Sequence, residues 1–137
     1  MRRQIFTHRP LNSELATLLL RLIFGGLFVY HGLTKFISYS EILPYFQSYF
    51  GLSPAASFNL VIFAELICGI LVVIGFLTRL AVIPIFITMV VAYFIAHGHD
   101  PFNVKELAFA FMLISLVIFV SGGGRYSVDG LIFRDRD

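Results

Sequence analysis

The chain has 137 residues, 58% of them hydrophobic and 13% charged, with a formal net charge of +2. Water-soluble domains use about a quarter charged residues, so this balance excludes an ordinary soluble fold and points to a membrane protein of single-domain length. The cations stand mostly near loops and termini and form no surface for nucleic acid. The lone Cys68 excludes an internal disulfide, a paired-cysteine redox motif and a cysteine-rich metal cluster within the chain.

The N-terminal stretch MRRQIFTHRPLNSE is basic but has no short apolar core ending in a small-residue cleavage site, so it is expected to be a mature end leading into the first span. Four apolar segments follow, at about 15–36, 55–77, 80–96 and 106–120. A helix needs about 20 apolar residues to cross a bilayer core. The first two segments meet that length, whereas the last two need flanking residues, local thinning or cover from neighbours. Four spans are expected even so, because the backbone of a half-inserted segment would be left unpaired in lipid. The predicted fold is therefore an all-α integral membrane protein, a four-transmembrane-helix bundle forming one membrane domain over 1–137.

Between spans one and two, residues 39–52 are aromatic and include Pro44 and Gly51. Ile42, Leu43, Phe46, Tyr49 and Phe50 share one side of a short helix, which predicts an interfacial or re-entrant element, with a plain loop as the alternative. Thr78 and Arg79 leave room only for a tight turn, making spans two and three antiparallel neighbours. The third link, HGHDPFNVK, is short and polar. In the tail, GGGRYSVD reads as a helix stop and a turn, with Arg125 and Tyr126 as interfacial anchors.

Orientation follows from the cations. Arg2, Arg3, Arg9, Arg79, Arg125, Arg134 and Arg136 fall on one side of a four-span chain, and Lys35 and Lys105 on the other. The expected location is the inner (plasma) membrane, multi-pass, with both termini cytoplasmic and the lipid bilayer as the first partner.

Spans one and two share a pattern. RLIFGGLFVYHGLTKF (21–36) and ELICGILVVIGFLTRL (65–80), offset by 44, agree at seven of 16 positions, among them Gly25/Gly69, Val29/Val73 and Thr34/Thr78, while Lys35 meets Arg79. Two such helices running in opposite directions would form an inverted pair; the bland alternative is two ordinary spans sharing membrane vocabulary. At 100° per residue, Arg21, Gly25, Phe28, Gly32 and Lys35 share one stripe, with His31 at its edge, and Glu65, Gly69, Val72, Phe76 and Arg79 share another. Each stripe joins small residues, which allow close approach, to an ionisable group. The two spans are expected to pack through these stripes.

A charge at mid-bilayer costs about 3 kcal/mol or more and therefore seeks a partner in the bundle interior. Depths of roughly 9 Å for Arg21, 18 Å for Glu65 and 24 Å for His31 from the inner boundary lead to an expected Arg21–Glu65–His31 network, the candidate catalytic group. Lys35 and His31 both have the reach to meet Glu65 from outside. Lys35, Arg79, His97 and Glu106 are candidate ligand-binding residues, with His97 and Glu106 at the outward mouth able to relay protons or to hydrogen-bond a quinone carbonyl. His31, His97, His99, Glu65 and Glu106 carry metal-donor atoms, but no two histidines stand at i, i+4, so no metal site is expected. The alternative is a structural network that only fixes helix register, as buried ion pairs often do.

Arg21, Gly25, Gly32 and Lys35 in span one, Glu65, Gly69, Gly75, Thr78 and Arg79 in span two, and GGGRYSVD after span four together resemble the DoxX family of small four-helix bacterial membrane proteins. The resemblance runs from about residue 14 to 132. It implies an inner-membrane protein associated with oxidoreductase systems, a subunit of a membrane oxidoreductase complex with quinone as the cofactor class. The single cysteine and the absence of a facing histidine pair argue against an intrinsic electron carrier. The reading is a quinone-associated or redox-linked subunit with a buried Arg/Glu/His cluster. The alternatives are a small proton-coupled transporter or channel, and a non-catalytic assembly subunit with a protein partner or as a homo-oligomer.

Overall fold

A computed structural model describes residues 5–134. Arg2, Arg3 and Arg136, three of the cations used to assign orientation, lie outside them. Helix α1 covers Ser13–Ile37, the short α2 Tyr39–Ile42, and a 3-10 turn Leu43–Tyr45. The second span joins α3 (Pro54–Ile62), a π-helical turn (Phe63–Ile67) and α4 (Cys68–Ile74). The third joins α5 (Thr78–Val91) to another π-helical turn (Ala92–Ala96); α6 (Phe102–Ser121) is the fourth, and α7 (Val128–Ile132) closes the tail. No strand occurs among the described residues.

The four spans, Ser13–Ile37, Pro54–Ile74, Thr78–Ala96 and Phe102–Ser121, are each long and apolar enough to cross a membrane, and the protein is an all-α membrane bundle. The third and fourth reach 19 and 20 residues, longer than the apolar runs alone suggested. The fourth starts at Pro101, whose extended backbone caps the helix, so that polar Asn103, Lys105 and Glu106 fall inside its first turns. Side-chain caps set other starts: Asn12 accepts from Leu15 N at 2.9 Å, and Ser53 from Ala56 N at 3.1 Å. The second span stops at Gly75, in the left-handed region at φ +73°, where Gly75 N and Phe76 N both donate to Leu71 O.

The spans form a ring in chain order, one on two, two on three, three on four, with four closing on one. Phe24, Phe28 and Phe111 pack at the centre in tilted and edge-to-face pairs with ring centroids 4.8 to 5.9 Å apart, and Val72, Val82, Ile85 and Ile118 complete a core with almost no exposed surface. Apolar side chains such as Ile23, Leu80, Phe94 and Val120 cover the outside, as lipid contact requires.

Spans one and two pack through the two glycine stripes. A Cβ at Gly32 would lie 2.5 Å from Leu66 N, so the helices meet backbone to backbone there. A Cβ at Gly25 would touch Val73 Cγ2 at 2.8 Å and Gly69 O at 3.0 Å; one at Gly69 would touch Val29 N at 3.1 Å. The repeat offset of 44 exchanges Gly25 with Gly69 and Val29 with Val73, so the contact Gly25–Val73 becomes Gly69–Val29. The sequence repeat is thus also an approximate two-fold relation in space, centred on the Gly25–Gly69 crossing.

Segment 39–52 is helical only to Tyr45. Beyond Pro44 it becomes irregular and turns sharply at Phe50 and Gly51, both at positive φ. Phe46 packs on Phe58 with centroids 4.7 Å apart, Tyr39 stacks on the same ring at 4.9 Å, and the Tyr39 hydroxyl donates to Asn59 Oδ1 at 2.7 Å. The aromatic residues fold back onto the second span rather than forming one continuous amphipathic helix.

Candidate functional site

A cavity of about 410 Å3 lies between spans two and three and is roofed by the 46–52 segment. Its wall is mainly apolar, with Leu60, Val61, Ile87 and Met89 on the spans and Phe46 and Tyr49 in the roof. Lys35, Glu65, Ser57, Thr88 and His97 add the polar groups. Leu60 and Ile87 are also more than half exposed on the outer surface of the bundle, so the cavity reaches the side that faces lipid.

Lys35 Nζ and Glu65 Oε2 form an ion pair at 2.6 Å in that wall, with the Glu65 side chain 6% exposed and Lys35 29%. Glu65 sits inside the first π-helical turn, and Ala92 and Ala96, which also line the cavity, belong to the second. A π-helical turn inserts one residue into a helix and re-aims those around it, and such turns concentrate at functional sites. Here both occur on the two helices that frame the cavity.

The expected Arg21–Glu65–His31 network does not form. With Gly25 opposite Gly69 in antiparallel packing, Arg21 lies level with Val73, about 12 Å along the axis from Glu65, whereas Lys35 is only about 9 Å away and extends back to it. Arg21 is 1% exposed. It donates through Nη1 to Val73 O at 3.2 Å and Val72 O at 3.4 Å, and through Nη2 to Tyr126 O. The carbonyls at a helix C-terminus carry partial negative charge, so they replace the carboxylate as partner. His31 lies edge-on between the rings of Tyr30 and Phe111 and makes no ion pair with Glu65.

The other candidates separate by end. His97 lines the cavity mouth, with Nδ1 2.7 Å from Asp100 Oδ2. Glu106 is exposed, away from the lining, and Lys105 lies over the Tyr93 ring at 4.4 Å. Arg79 is at the opposite end, donating to Phe119 O at 2.9 Å and Val120 O at 3.4 Å, where it caps the fourth span. No three His, Cys, Asp or Glu side chains converge as a metal would require among the described residues.

Two carboxylates escaped the sequence reading. Asp129 accepts from Leu77 N at 2.7 Å, Thr78 N at 2.9 Å and Thr78 Oγ1 at 2.8 Å, capping the third span from the tail. That grip accompanies the left-handed backbone of Leu77, at φ +49°. Glu14 accepts from Arg125 N at 2.6 Å. The turn GFLTR puts Leu77 at the N-cap and its one capping-type side chain, Thr78, inside the helix, so the acceptor comes from elsewhere in the chain.

A model of the DoxX family matches residues 16–98, a stretch that includes Lys35, Glu65 and the rest of the cavity wall. The chain belongs to the DoxX family. Among relatives of this DoxX protein, "Putative oxidoreductase CatD" of Bacillus subtilis is 31% identical over 124 residues, covering 90% of this chain and 91% of the relative. An "uncharacterized membrane protein" of Mycobacterium tuberculosis is 30% identical over 126 residues, covering 80% and 77%. An "uncharacterized protein" of Haemophilus influenzae is 28% identical over 130 residues, covering 89% and 86%. No solved structure matches this DoxX chain.

Proposed function

We propose that this protein is a redox-linked subunit of the inner membrane that holds the headgroup of a lipid-soluble quinone in the cavity beside Lys35 and Glu65. The observation that carries the reading is an ion pair set into the wall of an otherwise apolar cavity that reaches the lipid-facing side of the bundle. A cavity of about 410 Å3 is within the range of small-molecule sites, roughly 300 to 1,000 Å3, and has the expected make-up of apolar walls with a few convergent polar groups. A bound quinone supplies two-electron, two-proton chemistry. The chain's part would be to orient and to manage protons: the Lys35 ammonium would donate to a ring carbonyl oxygen, Glu65 would hold a proton acceptor beside it, and His97 at the mouth would connect the site to water. The name of the Bacillus subtilis relative supports a redox setting.

The cation distribution supports an orientation with both termini cytoplasmic, in which the cavity would lie in the outer half of the bilayer. The reading is tested by purifying the protein in mild detergent, extracting bound quinone and titrating decylubiquinone and a short-chain menaquinone. Lys35→Met and Glu65→Gln are expected to lower quinone content and affinity at least tenfold while the protein still purifies as a folded species. Unchanged content and affinity in both variants would remove the assignment.

A further inference from the structure

The inverted pair has a second end. A shift of 44 carries Lys35 to Arg79, Glu65 to Arg21 and Val61 to Thr17. Lys35, Glu65 and Val61 all line the cavity. All three counterparts lie beside the C-terminal tail: Arg21 donates to Tyr126 O, and the backbone passes so close to the other two that an added Cβ at Gly124 would lie 3.0 Å from Thr17 Cγ2 and one at Gly122 3.0 Å from Arg79 Nη2.

We infer that residues 122–129 are an intramolecular plug: the bundle builds the framework of its binding site twice, leaves one copy open as the cavity, and fills the other with its own chain as a peptide ligand. The charges explain the difference between the two ends. At the cavity, positions 35 and 65 hold a lysine and a glutamate, which satisfy each other. At the tail end, the equivalent positions hold two arginines, which cannot. Arg79 turns to the carbonyls ending the fourth span, and Arg21 takes two carbonyls of the second span and one of the tail. The tail thus supplies an acceptor that no side chain of the pair provides.

The occupant must be glycine-rich. Gly122 and Gly124 adopt φ +71° and +75°, which side-chain-bearing residues rarely do, and a Cβ at Gly123 would come within 2.9 Å of Ser127 Oγ and 3.0 Å of Thr78 Oγ1. Arg125 N on Glu14 and Asp129 on Thr78 pin either side of the inserted carbonyl. Arg21 Nε is buried without an acceptor, so the plugged site retains unused donor capacity for a carbonyl or anionic group. A second cavity of about 390 Å3, lined by Leu77, Arg79, Gly122, Gly124, Asp129 and Phe133, remains beside the inserted tail, but neither Arg21 nor Thr17 lines it, so the tail covers the Arg21 side of this end. This inference rests on the geometry of the two ends and holds whichever ligand occupies the cavity.

The test uses the full chain with Cys68→Ala and a single reporter, Thr17→Cys, in proteoliposomes exposed to a charged methanethiosulfonate reagent. With the native tail the reporter is expected to react at least tenfold more slowly than after Gly124→Trp, which the positive φ and the approach to Glu14 Oε2 and the Cβ of position 17 both exclude. Glu14→Ala, which removes a tail contact without adding bulk, should give an intermediate rate. A synthetic GGGRYSVD peptide added to the Gly124→Trp protein should slow labelling again. Equal rates with native and altered tails, or a rate the peptide leaves unchanged, would overturn the plug.

Discussion

At the scale of single residues, Lys35 and Glu65 form the ion pair set in the cavity wall. Glu65 is buried and Lys35 is 29% exposed, so removing Lys35 leaves a buried carboxylate without a partner, whereas replacing both residues removes that charge as well. Lys35→Met is therefore expected to lower stability by on the order of 3 kcal/mol, and Lys35→Met combined with Glu65→Leu to recover most of that loss. Thermal unfolding in detergent reads both, and a double variant less stable than the single one would contradict the account. Both residues stood out in the sequence, because charge within an apolar helix is rare and needs a reason. Their pairing did not. It depends on a register in which Arg21 and Lys35 differ by about 3 Å in axial distance from Glu65, a margin that estimates of depth from span ends do not resolve.

At the scale of elements, close approach of spans one and two sets the site. Gly32→Val must push the helices apart at Leu66, since even the first side-chain carbon would overlap the backbone there. It is expected to cost on the order of 3 kcal/mol, as overpacking does, and to disturb the nearby Lys35–Glu65 pair. Gly26 is the control on the same helix, with nothing within 4 Å of an added Cβ. Gly26→Ala should be neutral or stabilise by up to about 1 kcal/mol through backbone entropy. Equal loss from both substitutions, by thermal unfolding, would mean that helix propensity rather than interhelical contact decides. The glycine stripes were legible because a spacing of three to four residues marks a helix face. The two π-helical turns were not, since hydropathy carries no trace of a one-residue insertion in a helical ladder.

For the whole molecule, the start of α1, the Gly75–Thr78 turn and the C-terminal tail gather at one end, held by Glu14, Arg21 and Asp129. The cavity, the 46–52 segment and the His97–Asp100 pair lie at the other. Reporter fusions after the tail and insertions at Phe50–Gly51 are expected to report opposite sides of the membrane, the tail cytoplasmic. A cytoplasmic signal at the insertion would reverse the assigned orientation. The sequence by itself determined the class, the four spans and the face through which the first two meet, because hydropathy and helical periodicity are local properties summed over many residues. Only the tertiary structure decided which charge meets which, where the cavity opens and where the tail docks. Those outcomes turn on contacts between residues up to 111 positions apart, such as Arg125 on Glu14, where a shift of one helical turn exchanges one partner for another.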